Sequence, residues 1–278
     1  MSLMLKLLAI TLLLSSVSVA GNIDEKVEKF LSKALSGNKS LSNLKVKVID
    51  RFDVKNLEDW DAMVVQVEAT LKEKSKSRQV RQKMIWFTDG NVITKELVDM
   101  NTGKDLRDMI NPSFKPEYYK KHNLIYGNEN AKHKVAIFSD PLCPFCRKFV
   151  PASIEYMKKR PKDFAIYYYH FPLENIHPAA MVLVKATIAA ELKGKKNLTL
   201  KLYKVKVASR EKDIKKILKL FNKAMKTDIT EKDLKSKDVL KQLEYDMFVA
   251  NELMVGGTPT MFFDGKIDKS KQKFKQVK

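Results

Sequence analysis

Two cysteines, three positions apart, constrain this chain more than any other feature. Cys143 and Cys146 are the only cysteines among 278 residues. They lie in the stretch Phe138-Ser139-Asp140-Pro141-Leu142-Cys143-Pro144-Phe145-Cys146-Arg147. The apolar run Val135 to Phe138 comes before them and reads as a buried strand. Phe149, Ile154 and Tyr156-Met157, set among charged residues, follow as a helical pattern. The spacing predicts a strand, a short loop, and a helix that starts at Cys143. The first turn of a helix carries N–H groups without intrahelical partners and a partial positive charge. A thiolate seated there is stabilised, so its sulfur becomes a nucleophile near neutral pH.

Two other uses of a C-x-x-C pair rank behind this one. A structural zinc needs four ligands. The histidines are His122, His133, His170 and His177, and no two of them stand at ligand spacing. An inert bridge across so small a loop constrains little chain. A redox-active dithiol is the leading reading, and it calls for no cofactor and no metal.

The first residues read as a secretory signal over 1–20. Lys6 supplies the positive region, Leu7 to Leu14 the apolar core, and Ser18-Val19-Ala20 a small-x-small cleavage site before Gly21. No later segment offers the roughly twenty apolar residues of a membrane span. The expected product is a soluble, exported chain beginning near Gly21. An exported protein with a single cysteine pair is not built around structural bridges. The formal net charge is +20, which favours acidic partners and membrane headgroups. The lysines are spread along the chain, however, so solvated helix faces explain most of them. No nucleic-acid motif is present, and nucleic acid is not an expected partner.

Residues 21–110 read as a small α+β domain. Ile23, Val27, Phe30, Leu31, Ala34 and Leu35 recur at helical spacing before Gly37. Leu44, Val46 and Val48 alternate with lysines as one strand, and Val65, Val67, Ala69 and Leu71 alternate with polar residues as a second. Residues 79–88 and 91–100 flank Asp89-Gly90 as the arms of a two-residue hairpin, and Asn101-Thr102-Gly103 ends its second arm. No cysteine or histidine falls here, so self-association across open sheet edges is expected rather than chemistry. Residues 111–132, with Pro112 and Pro116, read as a linker, with a short helix over Glu117 to His122.

Residues 133–278 read as strand (134–139), helix (143–160), strand (163–170) and a long helical block over about 178–254. Pro151 is expected to kink the first helix. Pro178 opens a helix that is apolar on most sides. Ile214, Ile217, Leu218, Phe221 and Met225 mark an amphipathic helix, and Val239 to Met254 a final one. Then come Gly256-Gly257-Thr258-Pro259, a strand over Met261 to Phe263, and a turn at Asp264-Gly265.

Cys143-Pro144-Phe145-Cys146, Pro151 in the following helix and Thr258-Pro259 before a strand make this half resemble the thioredoxin superfamily, in its exported Dsb branch. The resemblance implies a thioredoxin-like fold with a helical insertion capping the site. It implies a cis Pro259 lying against the cysteines, with the Thr258 backbone free to pair with a substrate strand. Cys143 would be the exposed attacking thiolate and Cys146 the buried resolving thiol, with Pro144 and Phe145 tuning the redox pair. The first half is similar to the cystatin-like N-terminal dimerisation domain of the DsbC/DsbG disulfide isomerases. By that resemblance the protein is a periplasmic homodimer acting on misfolded, disulfide-containing exported proteins. It would be kept reduced by a DsbD-like membrane thiol reductase.

The sequence departs from the wider superfamily in places. Ile137 stands where thioredoxin and DsbA carry a buried acid, and Phe145 where DsbA carries a histidine. A phenyl ring cannot donate a hydrogen bond to sulfur, so a milder oxidant is expected. Thr258 also matches the isomerases rather than DsbA. The residues would serve a dithiol oxidase fed by a quinone-linked, DsbB-like enzyme, or a dimeric non-enzymatic chaperone, as alternatives to an isomerase. The tail after Phe263 is expected to be small or frayed.

Overall fold

The computed structural model describes residues 16–54, 57–73, 76–110 and 112–277. The chain divides into two units, one ending at Ile110 and one beginning at Asn111. The signal segment expected over 1–20 lies outside the described residues up to position 15. Among the described residues, no helix is long and apolar enough to cross a membrane.

In the first unit, helix α1 (Ser16–Ser36) precedes β1 (Leu41–Asp53), β2 (Asp61–Glu73), β3 (Lys76–Thr88) and β4 (Ile93–Thr94). The four strands pair antiparallel in the order β1-β2-β3-β4. Val27 and Leu31, one helical turn apart, pack on Met63, Val65 and Val67 of β2. Ala62 points to the opposite face and meets Val54, Phe87 and Leu106.

The hairpin at Asp89-Gly90 differs from the two-residue turn expected. Thr88 pairs with Ile93, so four residues form the loop, and the second arm is only two residues long. Asp89 Oδ1 accepts from the N–H groups of Asn91 and Val92, and the Thr88 hydroxyl donates to the Val92 carbonyl. These side-chain bonds make a wider turn more favourable than the tight one. The chain then forms a separate ribbon, β5 (Val98–Asp99) with β6 (Lys104–Asp105), around Asn101-Thr102-Gly103.

The second unit is built on a five-stranded sheet. Its strands are β7 (Leu124–Tyr126), β8 (His133–Ser139), β9 (Phe164–His170), β10 (Thr260–Phe263) and β11 (Lys266–Ile267), ordered β11-β10-β8-β9-β7. β8 and β9 run parallel, joined through helix α2 (Pro144–Met157), which continues through Pro151. Both central strands are buried on two faces, as a covered parallel pair must be. Val135, Ile137, Ile166 and Tyr168 face a layer with α2, while Ala136, Phe138, Tyr167 and Tyr169 face the other side. There they meet Val249 and Ala250, from a helix near the end of the chain.

Helices α3 (Pro178–Leu192), α4 (Thr199–Leu202), α5 (Ile214–Met225) and α6 (Lys237–Glu252) occupy the stretch between β9 and β10. They bury their own cluster around Leu183, Ile188, Ile217 and Phe221. Asp264-Gly265 turns β10 into β11, with both residues at positive φ (47° and 79°).

Two expectations need correction. The segment read as a linker over 111–132 is not free along its described part, 112–132. Phe114 and Tyr118 are buried in the layer beneath β9 and β10, and the Phe114 N–H donates to the Gly265 carbonyl at 2.7 Å. The helix expected over Glu117 to His122 is two 3-10 turns, Pro116–Tyr118 and Lys121–Asn123, leading into β7. Aromatic burial holds this segment where its prolines deny it a regular helix. The tail, a 3-10 turn over Lys273–Lys275, is small as expected but anchored, with Phe274 fully buried edge-on to Tyr156 at 5.4 Å between centroids.

Candidate active site

Strand β8 delivers the cysteines. Hydrogen-bonded on both sides, it ends at Ser139 and passes through Asp140, which is fully buried. A buried carboxylate must find donors, and Asp140 finds four. Its Oδ1 accepts from the N–H of Leu142 at 2.6 Å and of Cys143 at 3.1 Å. Its Oδ2 meets the Leu173 N–H at 2.8 Å and His177 Nδ1 at 3.0 Å. One side chain thus folds the cysteine loop and ties it to the segment that enters α3.

Cys143 is the N-cap of α2, with Pro144 at the first helical position, where its missing N–H removes no helical bond. The Cys143 thiol points at the Thr258 carbonyl, Sγ to O 3.6 Å. The Thr258–Pro259 peptide is cis. Thr260 pairs with Phe138, a register that sets the prolyl loop beside the end of β8. The structure therefore brings Cys143, Cys146, Thr258 and Pro259 into one place. The two cysteines are free thiols.

Cys143 is less open than expected, only 5% exposed, because its thiol is turned under the prolyl loop. Nor is the Thr258 backbone wholly free, since its carbonyl accepts from that thiol. Cys146, one turn on, is completely buried, and burial pushes its thiol up to about 11, against the opposing pull of Ser139 and Thr258. Pro144 and Phe145 between them face solvent, and Phe145 is 74% exposed. A phenyl ring left that open at the mouth of a reactive pair is available to touch an incoming chain.

Sequence reasoning did not single out several residues of the site. Arg147 donates from Nε to the Pro141 carbonyl at 2.8 Å and from Nη2 to the Val205 carbonyl at 2.7 Å. It fastens the active-site loop to the helical insertion. His177 and Tyr203 were likewise missed. The Tyr203 hydroxyl lies 2.6 Å from Ser139 Oγ and 2.8 Å from the Tyr168 hydroxyl. For Asp140 a signal existed, since an acid beside a strand end and three residues before a helix N-cap is a loop-folding candidate. For Tyr203, 64 residues from Ser139 in sequence, there was none.

A thioredoxin fold with a C-x-x-C pair at the head of a helix, opposed by a cis prolyl loop, defines the thioredoxin-like class of thiol–disulfide oxidoreductases. The thioredoxin family pattern matches residues 120–278, and the chain belongs to that family. Among solved structures, it is similar to BdbD from Bacillus subtilis in the oxidised form. That match has 15% identity and a TM-score of 0.46, and covers 60% of this chain and 93% of the other. It is similar to alpha-DsbA2 from Wolbachia pipientis, at 18% identity and TM-score 0.43, over 54% of this chain and 81% of the other. The catalytic domain of Proteus mirabilis ScsC matches at 22% identity and TM-score 0.40, over 56% and 89%. A curated relative is the Na(+)/H(+) antiporter NhaA 1 of Mycolicibacterium gilvum (strain PYR-GCK), 28% identical over 147 residues. That match takes in 51% of this chain, which spans 23% of the antiporter's length.

Proposed function

We propose that this protein is a disulfide isomerase that works on exported proteins in the periplasm. The observation that carries the reading is the placement of Cys143: at the N-cap of α2, with a fully buried partner thiol one turn on and the Thr258 carbonyl 3.6 Å from its sulfur. In the cycle, the Cys143 thiolate attacks one sulfur of a wrong bridge. The Cys143–client S–S bond forms, the client's own S–S bond breaks, and the released client sulfur leaves as a thiolate. That thiolate attacks a second client bridge, and a client thiolate finally displaces Cys143. No net electrons are transferred. If the client stalls, Cys146 attacks Cys143 Sγ, closing the Cys143–Cys146 bond and freeing the client thiol.

Ionisation of Cys143 removes the S–H that occupies the Thr258 carbonyl, so the acceptor is open to the client's backbone when the thiolate attacks. The exposed Phe145 ring offers apolar contact to a client and no hydrogen bond to sulfur, so it adds nothing to the stability of the reduced form and leaves the pair a milder oxidant. The first unit, with its open sheet edges, is the part we assign to self-association, giving a homodimer over residues 21–110.

Thiol trapping of the native protein in its own cells tests this reading. A mostly reduced Cys143–Cys146 pair, and refolding of a scrambled client that is lost in Cys143→Ala, is the expected result. A mostly oxidised pair makes it a dithiol oxidase instead. Full client protection by Cys143→Ala with no exchange activity in wild type makes it a chaperone.

A further inference from the structure

Ile137 is apolar, so the carboxylate that serves a buried thiol elsewhere in the superfamily has no counterpart at that position. In its stead, three hydroxyl groups stand in a row. Ser139 lies at the end of β8, directed at Cys146. Its Oγ is 2.6 Å from the Tyr203 hydroxyl, and that hydroxyl is 2.8 Å from Tyr168 on β9. Ser139, Tyr168 and Tyr203 are all buried, and Cys146, Tyr168 and Tyr203 share one core cluster. Tyr203 comes from the helical insertion, just past α4.

We propose that Tyr168, Tyr203 and Ser139 form a donor chain that points its O–H groups at Cys146 and stabilises the Cys146 thiolate during exchange. The inference rests on the exchange chemistry proposed above. Each hydroxyl can donate or accept, so the row can align in one direction: Tyr168 donates to Tyr203, Tyr203 to Ser139, and Ser139 to sulfur. Such chains polarise one another in a low-dielectric interior. Burial holds both phenols above their ordinary range, so they stay protonated donors.

The other polar groups around this thiol are few. Cys143 caps α2, and Thr258 lies on the prolyl loop with its buried Oγ1 making no hydrogen bond among the described residues. Asp140 follows β8; its carboxylate is engaged by three N–H groups and His177, while its backbone N–H also faces the Cys146 sulfur. His170, at the end of β9, stacks edge-on to Tyr168 at 5.1 Å, and burial keeps it neutral down to about pH 4. In the resolving step, Cys146 loses its proton, its sulfur forms the bond to Cys143 Sγ, and the Cys143–client bond breaks. The client thiolate takes up a proton, so the overall proton count is unchanged. The chain stabilises the anion between these events. In this arrangement Ser139 is the member of the row that faces the sulfur, while Tyr203 and Tyr168 are positioning residues that act through it.

The test uses the full chain. In a Cys143→Ser background, ionisation of Cys146 is followed by the 13C shift of its Cβ between about pH 8 and 12. Ser139→Ala and Tyr203→Phe each raise the midpoint by about one unit, tenfold in ionisation constant, the size expected for one hydrogen bond to an anion. Tyr168→Phe raises it less. The double variant Ser139→Ala/Tyr203→Phe shifts no further than Ser139→Ala alone, because the chain is already cut. With Cys143 intact, Tyr203→Phe slows resolution of a glutathione mixed disulfide about threefold at pH 7, since scarcer thiolate is partly offset by a stronger nucleophile. Unchanged midpoints in folded variants, or an additive double variant, overturn the proposal. If wild type exchanges no disulfide with glutathione, the exchange reading falls, while the midpoints still decide the hydroxyl chain by themselves.

Discussion

Replacing Asp140 by alanine tests whether one carboxylate holds the redox loop. The change strands the Leu142 and Leu173 N–H groups and His177 Nδ1, which have no other acceptor among the described residues, while the Cys143 N–H keeps the Asp140 carbonyl at 3.3 Å. A buried donor left without a partner costs about 1–3 kcal/mol. Three such donors, taken near the low end because water can enter the space, give a loss of about 3–5 kcal/mol. For a unit of this size, each kcal/mol moves the midpoint about 2–4 °C, so the melting temperature falls about 10–15 °C. Asp140→Asn retains an acceptor for Leu142 and Cys143 but turns an amide N–H toward Leu173, and its loss is about half as large. The assay is thermal unfolding of the reduced chain by far-UV circular dichroism. Trp60 and Trp86, the two tryptophans, both lie in the first unit. Tryptophan fluorescence therefore reports that unit separately, and its transition stays in place. A melting temperature for Asp140→Ala within about 3 °C of wild type refutes the reasoning.

Three further outcomes are expected. Burial raises Asp246 to about 7, against donation from Asn123 and the His170 N–H, so its contribution to stability is complete below the ordinary carboxyl range and is lost as pH climbs toward 7. Burial depresses His170 to about 4, which gives the opposite slope, with stability lost as pH falls from about 6.5 toward 4. Denaturant midpoints between pH 4 and 8 for Asp246→Asn should lack the first slope and keep the second. Gly127→Ala places a Cβ 1.9 Å from the Phe164 carbonyl oxygen at φ +83°, so it should cost more than about 2 kcal/mol and loosen β7, read as faster amide exchange in β7 and β9. Phe145→Ser, at an exposed position, should leave stability within about 0.5 kcal/mol. It should raise KM for an unfolded client several-fold more than KM for glutathione.

Much of the catalytic half was legible because its signals are local. Val135 to Phe138, the C-x-x-C spacing and the apolar periodicity after it imply a strand, loop and helix within 25 residues of one another. The helices after Pro178 and the Asp264-Gly265 turn follow the same kind of rule. What could not be read depends on partners distant in sequence. Residues 111–132 look like a linker until Tyr169 and Gly265 are known to receive them. The second hairpin arm was overextended because alternation continues past Thr94, whereas Asp89 and Thr88 set a wider turn. Asp140 with His177, and Ser139 with Tyr203, are each joined only by tertiary folding, and neither spacing has a sequence signature.

Arg147 has a consequence for anyone who would trim this scaffold. Its guanidinium clamps the carbonyl of Val205, inside the inserted helices, and that of Pro141, beside the thiols. A minimal redox module made by excising residues 178–254 would leave this cation facing an empty socket and unlatch the cysteine turn. The insert is therefore a structural member of the reactive centre, and a transplant of the C-x-x-C helix onto another framework has to carry its anchoring strut along.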